Sequence, residues 1–294
     1  MAKELTQGRV EDFLKQTTGK FSLRDIWNEL GIESEQGKSH LRVIMHRLEE
    51  APDGVKVERV RGQDGVFRVV DDTLQEIDWQ NADASANVPI SLPFSLEKYV
   101  KIFPKSIIMV AGAPNAGKTA FLYNTIVLNM SNQIIDLYNS ETSPEQMRER
   151  FEYFEPPIPA PAPWRTYERY DNFSDIVHPD HLSVIDYLDF NAEVYMVGDE
   201  IEKIFRKLNK GVAVIALQKR PSTKFAEIDL GYGGAFSLKK ASLYVSMDSG
   251  SLKIIKGKSW RDPLVNPNGM LFSFQLVNGC KFVNIKREEI DTVT

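Results

Sequence analysis

The stretch GAPNAGKT, Gly112 to Thr119, constrains this chain more than any other. It fills every fixed position of G-x-x-x-x-G-K-[ST]. Glycines at Gly112 and Gly117 let the backbone curl so that successive N–H groups, through Ala113, Pro114, Asn115 and Ala116, frame an anion. Lys118 then reaches β/γ-phosphates and the Thr119 hydroxyl is a ligand for Mg²⁺. The flanks agree, because SIIMVA, Ser106 to Ala111, reads as a buried strand, and Thr119 to Met130 places Phe121, Ile126 and Met130 among helix-compatible residues. Strand, glycine loop and helix in that order predict a site for ATP and Mg²⁺ at a helix N-terminus.

Acidic and amide side chains follow at the ends of further apolar runs. In QIIDLYNSETSPEQMRERF, Ile134, Ile135 and Leu137 read as a strand, and Ser143-Pro-Glu-Gln146 as a capping box with proline at the first helical position. Glu141 therefore stands at the carboxyl end of a strand, the ligand edge of a parallel sheet, where a carboxylate can orient and deprotonate attacking water. LSVIDYLDF, Leu182 to Phe190, ends its apolar run at Asp186, placed to anchor Mg²⁺ beside Thr119. GVAVIALQKRP, Gly211 to Pro221, delivers Gln218 to the same edge, where an amide can sense the γ-phosphate.

The segment before the phosphate loop has a different character. Val10 to Gln16 and Phe21 to Leu30 read as helices, the second stopped by Gly31; from Glu35 a third carries Leu41, Ile44, Met45 and Leu48 as its core stripe. VKVERV and VFRVV, joined by RGQDG, read as a hairpin. Three helices and a hairpin resemble a winged helix-turn-helix. Lys38, Ser39, Arg42, His46, Arg59 and Arg61 would then meet DNA, or form the face that docks a protein partner. Residues 1–72 are read as this small α+β domain, 73–88 as a polar linker, and 89–294 as an α/β domain whose strands and helices alternate to the end. PPIPAPAP, Pro156 to Pro163, is a stiff non-helical connector.

Taken together, NSETSPEQMRERF, VIDYLDF and VIALQKR resemble the ATPase domain of DnaB-type replicative helicases and their RecA-like relatives, over roughly residues 89–276. The later GGAFSLKKASLYVSM and LKIIKGKSWRDP extend the likeness. The resemblance implies an α/β RecA-like core with a mainly parallel sheet. It also implies Glu141 as base, Asp186 on magnesium, Gln218 as sensor, and Lys256 and Lys258 where a basic finger reaches a neighbouring subunit's ATP, in a homo-oligomer such as a hexamer. Lysine departs from the family's commoner arginine, since it cannot make a bidentate phosphate contact; Arg261 is the alternative finger. The helicases' helical amino-terminal domain is replaced. Lys219, Arg220, Lys224, Lys239 and Lys240 are candidates to grip a nucleic-acid strand.

Three roles remain open on these residues: a motor on DNA in replication or recombination, an ATP-controlled sequence-specific DNA-binding initiator or regulator, and an ATPase that docks a replication or recombination partner through its first domain. Composition sets outer bounds. With 294 residues and 42% hydrophobic content the chain can bury a large core, and a net charge of −5 confines nucleic-acid contact to local patches. One cysteine, Cys280, excludes an internal disulfide framework, and the four histidines show no metal-ligand spacing. No apolar run approaches a membrane span and no signal-peptide core is present, so a cytoplasmic protein is expected.

Overall fold

The computed structural model describes residues 5–17, 19–71, 74, 76–187, 194–219 and 229–288. The chain divides into two compact units, Met1–Ala82 and Asp83–Thr294.

The first unit runs α1 (Gln7–Gln16), β1 (Lys20–Ser22), α2 (Leu23–Leu30), α3 (Glu35–Glu49), β2 (Val57–Arg59) and β3 (Val66–Val69). Its helices start and stop where the chemistry directs. Ser22 accepts from the Asp25 N–H while the Asp25 carboxylate accepts from the Ser22 N–H, and Gly31 closes α2 at φ 64. The apolar stripe of α3, Leu41, Ile44, Met45 and Leu48, packs with Val10, Leu14 and Ile26 into one core. Each such buried side chain contributes about 1.5–3 kcal/mol. The strands form an antiparallel sheet in the order β1-β3-β2. Phe21, expected as the first residue of a helix, lies instead in β1 opposite Phe67, with the rings stacked 6.1 Å apart. Three residues are too few for a two-residue period to declare itself.

In the second unit the order is β4 (Ser106–Gly112), α4 (Lys118–Asn129), β5 (Ile135–Asn139), α5 (Pro144–Glu152), β6 (Arg165–Glu168), α6 (Phe173–Ile176), β7 (Leu182–Asp186), α7 (Val194–Lys207), β8 (Val212–Gln218), α8 (Ala235–Leu238), β9 (Ala241–Asp248), β10 (Ser251–Gly257), β11 (Leu271–Val277) and β12 (Lys281–Glu288). Among the described residues these strands make one sheet, β12-β11-β10-β9-β4-β8-β7-β5-β6. From β9 to β6 neighbours are parallel. The central strand β4 is buried at every position, as a strand covered on both faces must be. Ile108 and Val110 join the core shared with Phe121 and Ile126 of α4; Ile107 and Met109 join the core shared with Val197, Ile201 and Ile204 of α7.

The expected alternation of strand and helix does not continue to the end of the chain. After β9 the strands β10, β11 and β12 form an antiparallel meander. The reason is local: Leu252 and Ile254 are buried while their neighbours are only partly so, a period of two that suits a sheet with one covered face. Of LSVIDYLDF, the strand occupies Leu182–Asp186, and Leu188 to Phe190 lie outside the described residues. Register brings the ends of the parallel strands level, with Gly112 opposite Gln218 and Asn139 opposite Asp186. That edge carries the site.

Candidate phosphate-binding site

The loop between β4 and α4 needs its glycines for two different reasons. A Cβ on Gly112 would lie 2.6 Å from Lys118 Cγ. Gly117, at φ 96, sits in the left-handed region immediately before α4 begins at Lys118. The unpaired N–H groups of the first turn of α4 thus open onto the loop. Lys118 Nζ donates to the carbonyls of Gly112, 3.1 Å, and Ala113, 3.0 Å. Burial lowers the lysine pKa, opposed by the charges of Glu141 and Asp186.

Asp186 ends β7 with its side chain fully buried. Thr119 Oγ1 donates to its Oδ1 at 3.3 Å, and Oδ2 is buried without a hydrogen-bond partner. Burial pushes this carboxyl up to about 6; the Thr119 hydrogen bond opposes the shift and Glu141 adds to it. A carboxylate oxygen left without a donor and a hydroxyl beside it are the donor set that a hard divalent cation takes. Glu141 rides on the turn between β5 and α5. Asn139 fixes that turn from both sides, its Oδ1 accepting from the Thr142 N–H at 3.1 Å and its Nδ2 donating to the Thr142 carbonyl at 2.7 Å. The Ser140 hydroxyl donates to the carbonyls of Asp186 and Tyr187, tying the turn to β7. The capping box expected at Ser143 and Gln146 starts α5.

A cavity of about 500 Å³ collects these groups: Lys118, Thr119, Glu141 and Gln218 line it together with Pro114, Asn115 and Gly117. The residues present fit a nucleoside triphosphate with Mg²⁺, because the loop is clear of Cβ atoms where phosphates approach and the Asp186 oxygen lacks a protein donor. The strand order places β4 between β8 and β9, with β7 and β5 beyond β8. The core is RecA-like.

No family model and no curated protein matches the chain. Among solved structures it is similar to the RadB recombinase, at 13% identity and a TM-score of 0.47 over 65% of this chain and 93% of that one. It is also similar to the ATPase domain of a DnaB-like protein, at 14% identity and a TM-score of 0.48 over 69% of this chain and 94% of that one.

Two residues of this cavity were not singled out from the sequence: Gln146 and Arg150 both line it. Their spacing of four on α5 places them on one face, a signal present in QMRERF once the helix start is known. Leu276 lines the same cavity from β11, and the Phe282 ring lies 3.2 Å from where a Gly117 Cβ would be, so the meander closes over the loop.

The expected basic groups are placed unevenly. Lys256, expected as a free finger, instead donates to the carbonyl of Leu238 in its own chain at 2.7 Å, and its pKa is lowered by burial and by Lys258. Lys258 is exposed. Arg261 Nε donates to the Glu97 carbonyl. Lys219, expected to grip a strand, is buried and pairs with Asp248 at 2.7 Å; a strand-end lysine with an acid on the neighbouring element has no cation left to offer. Lys240 pairs with Glu202, and Lys239 lies over the Phe236 ring. Arg220 and Lys224 lie outside the described residues.

In the first unit, Ser39, Arg42, His46 and Arg61 are exposed, and Arg42 lies 5.9 Å over the Trp27 ring. Lys38 pairs with Glu35 at 2.7 Å, Arg59 with Glu49 at 2.7 Å, and His46 Nδ1 lies 3.6 Å from Glu50. No helix among the described residues is long and apolar enough to cross a membrane.

Proposed function

We propose that this chain hydrolyses ATP and uses the energy on DNA, in replication or recombination. The observation that carries the reading is the convergence of the phosphate loop, Glu141, Asp186 and Gln218 on one cavity at the carboxyl edge of the parallel strands. Lys118 and the N–H groups at the start of α4 hold the β- and γ-phosphates. Thr119 and Asp186 hold the magnesium ion, which neutralises charge on the phosphates when bound. Glu141, fixed by Asn139, orients a water for in-line attack and takes its proton. Gln218 touches the γ-phosphate side and passes its presence to the loop that follows. Copies of the chain assemble so that Lys258 of one completes the site of the next.

The first unit is a winged helix-turn-helix, α3 being the recognition helix and the β2–β3 turn with Arg61 the wing. Arg42, Arg61 and Ser39 are its DNA contacts. A second reading has support of its own, because Lys38 and Arg59 are already paired with Glu35 and Glu49; in that reading the unit docks an acidic or mixed-charge protein partner.

The test is ATP turnover measured alone, with single-stranded DNA and with duplex DNA. Turnover that rises with DNA supports the motor. Turnover indifferent to both, in a protein whose first unit binds no duplex at low salt, would move the reading to partner docking. Absence of turnover and of nucleotide binding would reject the ATPase.

A further inference from the structure

A second cavity, about 670 Å³, lies on the far side of Glu141 from the phosphate loop, between α5 and β6. Its walls are aromatic: Phe151 and Trp164, with ring centroids 5.1 Å apart, and Tyr167 and Tyr170, which remain 41% and 60% exposed. Its charged lining includes Glu141 and Glu168. The nearby Arg148 pairs with Glu152, and Arg165 with Asp136. Such a concavity takes an apolar group, and its rim favours a cation over an anion.

The same chain presents a matching segment. After β10, Asp262 accepts from the Leu264 N–H at 2.9 Å and its carbonyl from the Val265 N–H at 3.2 Å, forming a turn that holds Leu264 out at 92% exposure beside Val265 at 43%. The chain leading into this turn, KGKSWR, is basic, and the Lys258 ammonium has no hydrogen-bonding or ionic partner among the described residues. Within one copy the two features belong to opposite parts of the sheet: β10 and β5 are five strand spacings apart, roughly 24 Å at about 4.8 Å each. Unlike patches on opposite sides of one molecule are what a head-to-tail, heterologous contact joins.

We propose that the 258–265 turn of one copy seats Leu264 in this aromatic cavity of the next, bringing Lys258 to the Glu141 side of its neighbour. The inference rests on the proposed sharing of the ATP site between copies and names the contact that would produce it. The other strongly exposed apolar segment, Leu74, Ile77 and Trp79, is the poorer occupant because Asp71, Glu76 and Asp78 flank it and the rim is acidic.

The test uses the full-length chain carrying Leu264→Cys together with Tyr170→Cys, both exposed positions, with each single variant as control; the native Cys280 is buried. With ATP and Mg²⁺ and a short thiol-specific crosslinker, the double variant is expected to give dimers and larger ladders at least tenfold above either single variant. Leu264→Asp should lower turnover per chain at low protein concentration and regain it as concentration rises. No ladder in the double variant, while native turnover still rises with concentration, would overturn the contact and leave the shared site standing. A ladder from Trp79→Cys with Tyr170→Cys instead would give the cavity to the 74–79 segment and overturn the proposal. Native turnover independent of concentration, with the ladder present, would keep the contact and reject the shared site.

Discussion

The carboxyl edge of the parallel strands and the recognition face of the first unit are both rich in chemistry-bearing side chains, and they differ in what those side chains are bonded to. At the strand edge, Asp186 is buried with an oxygen lacking a donor, and Lys118 rests on carbonyls of its own loop. On α3 and β2, Lys38 and Arg59 sit at the surface and each has a glutamate 2.7 Å away. Groups held in a low-dielectric site without a charge partner of their own are prepared for a charged ligand. Surface cations already paired at exposed positions contribute little by the pairing, and they exchange one partner for another at small net gain. The two regions should therefore respond to mutation on very different scales.

The largest difference is expected for Lys118→Ala, which should lower ATP turnover by roughly 10²–10³-fold, the scale of removing a charge aimed at a transition state. A steady-state phosphate-release assay reads it; a loss under fivefold would put the phosphate loop on the same footing as the surface face. Next is Arg150→Ala. Because Arg150 enters the phosphate cavity from α5, its removal should cost about 10-fold or more in turnover with the fold intact, and unchanged turnover would make it a wall residue only. In the first unit the larger effects are on folding rather than binding. Leu41→Ala, at a fully buried position in that unit's core, should destabilise it by about 2–5 kcal/mol in denaturant titration. Basal turnover should survive, since the second unit has its own cores. The smallest effect belongs to Arg61→Ala: duplex affinity should weaken alike for all sequences, with the log–log salt slope reduced by about 1. A change confined to one sequence would make Arg61 a base reader.

The same contrast explains which parts of the molecule were legible in the sequence. GAPNAGKT could be read outright because the chemistry dictates residue identity at fixed spacing, and Glu141, Asp186 and Gln218 followed because each closes an apolar run at a strand end. The RecA-like α/β core rests on that reading and on the strand order. Arg150 escaped because its role depends on which face of α5 looks inward. Lys256 and Lys219 were misjudged for a related reason: their acceptors, Leu238 and Asp248, are brought near by tertiary pairing, 18 and 29 residues away. The meander of β10 to β12 was hidden by an assumption of continued alternation, although Leu252 and Ile254 carry the two-residue period that announces it. β1 was too short to show any period.

The measurement closest to the central claim is the fate of bound ATP in the Glu141→Gln protein. If Glu141 activates the attacking water while Lys118, Thr119 and Asp186 hold the nucleotide and its magnesium, this variant should bind ATP with near-native affinity and retain it unhydrolysed, with turnover reduced at least 100-fold. Radiolabelled ATP recovered intact from the isolated protein is the predicted result. Recovery of ADP at the native rate would contradict the account, because the group that activates water would then lie outside this cavity's Glu141 wall.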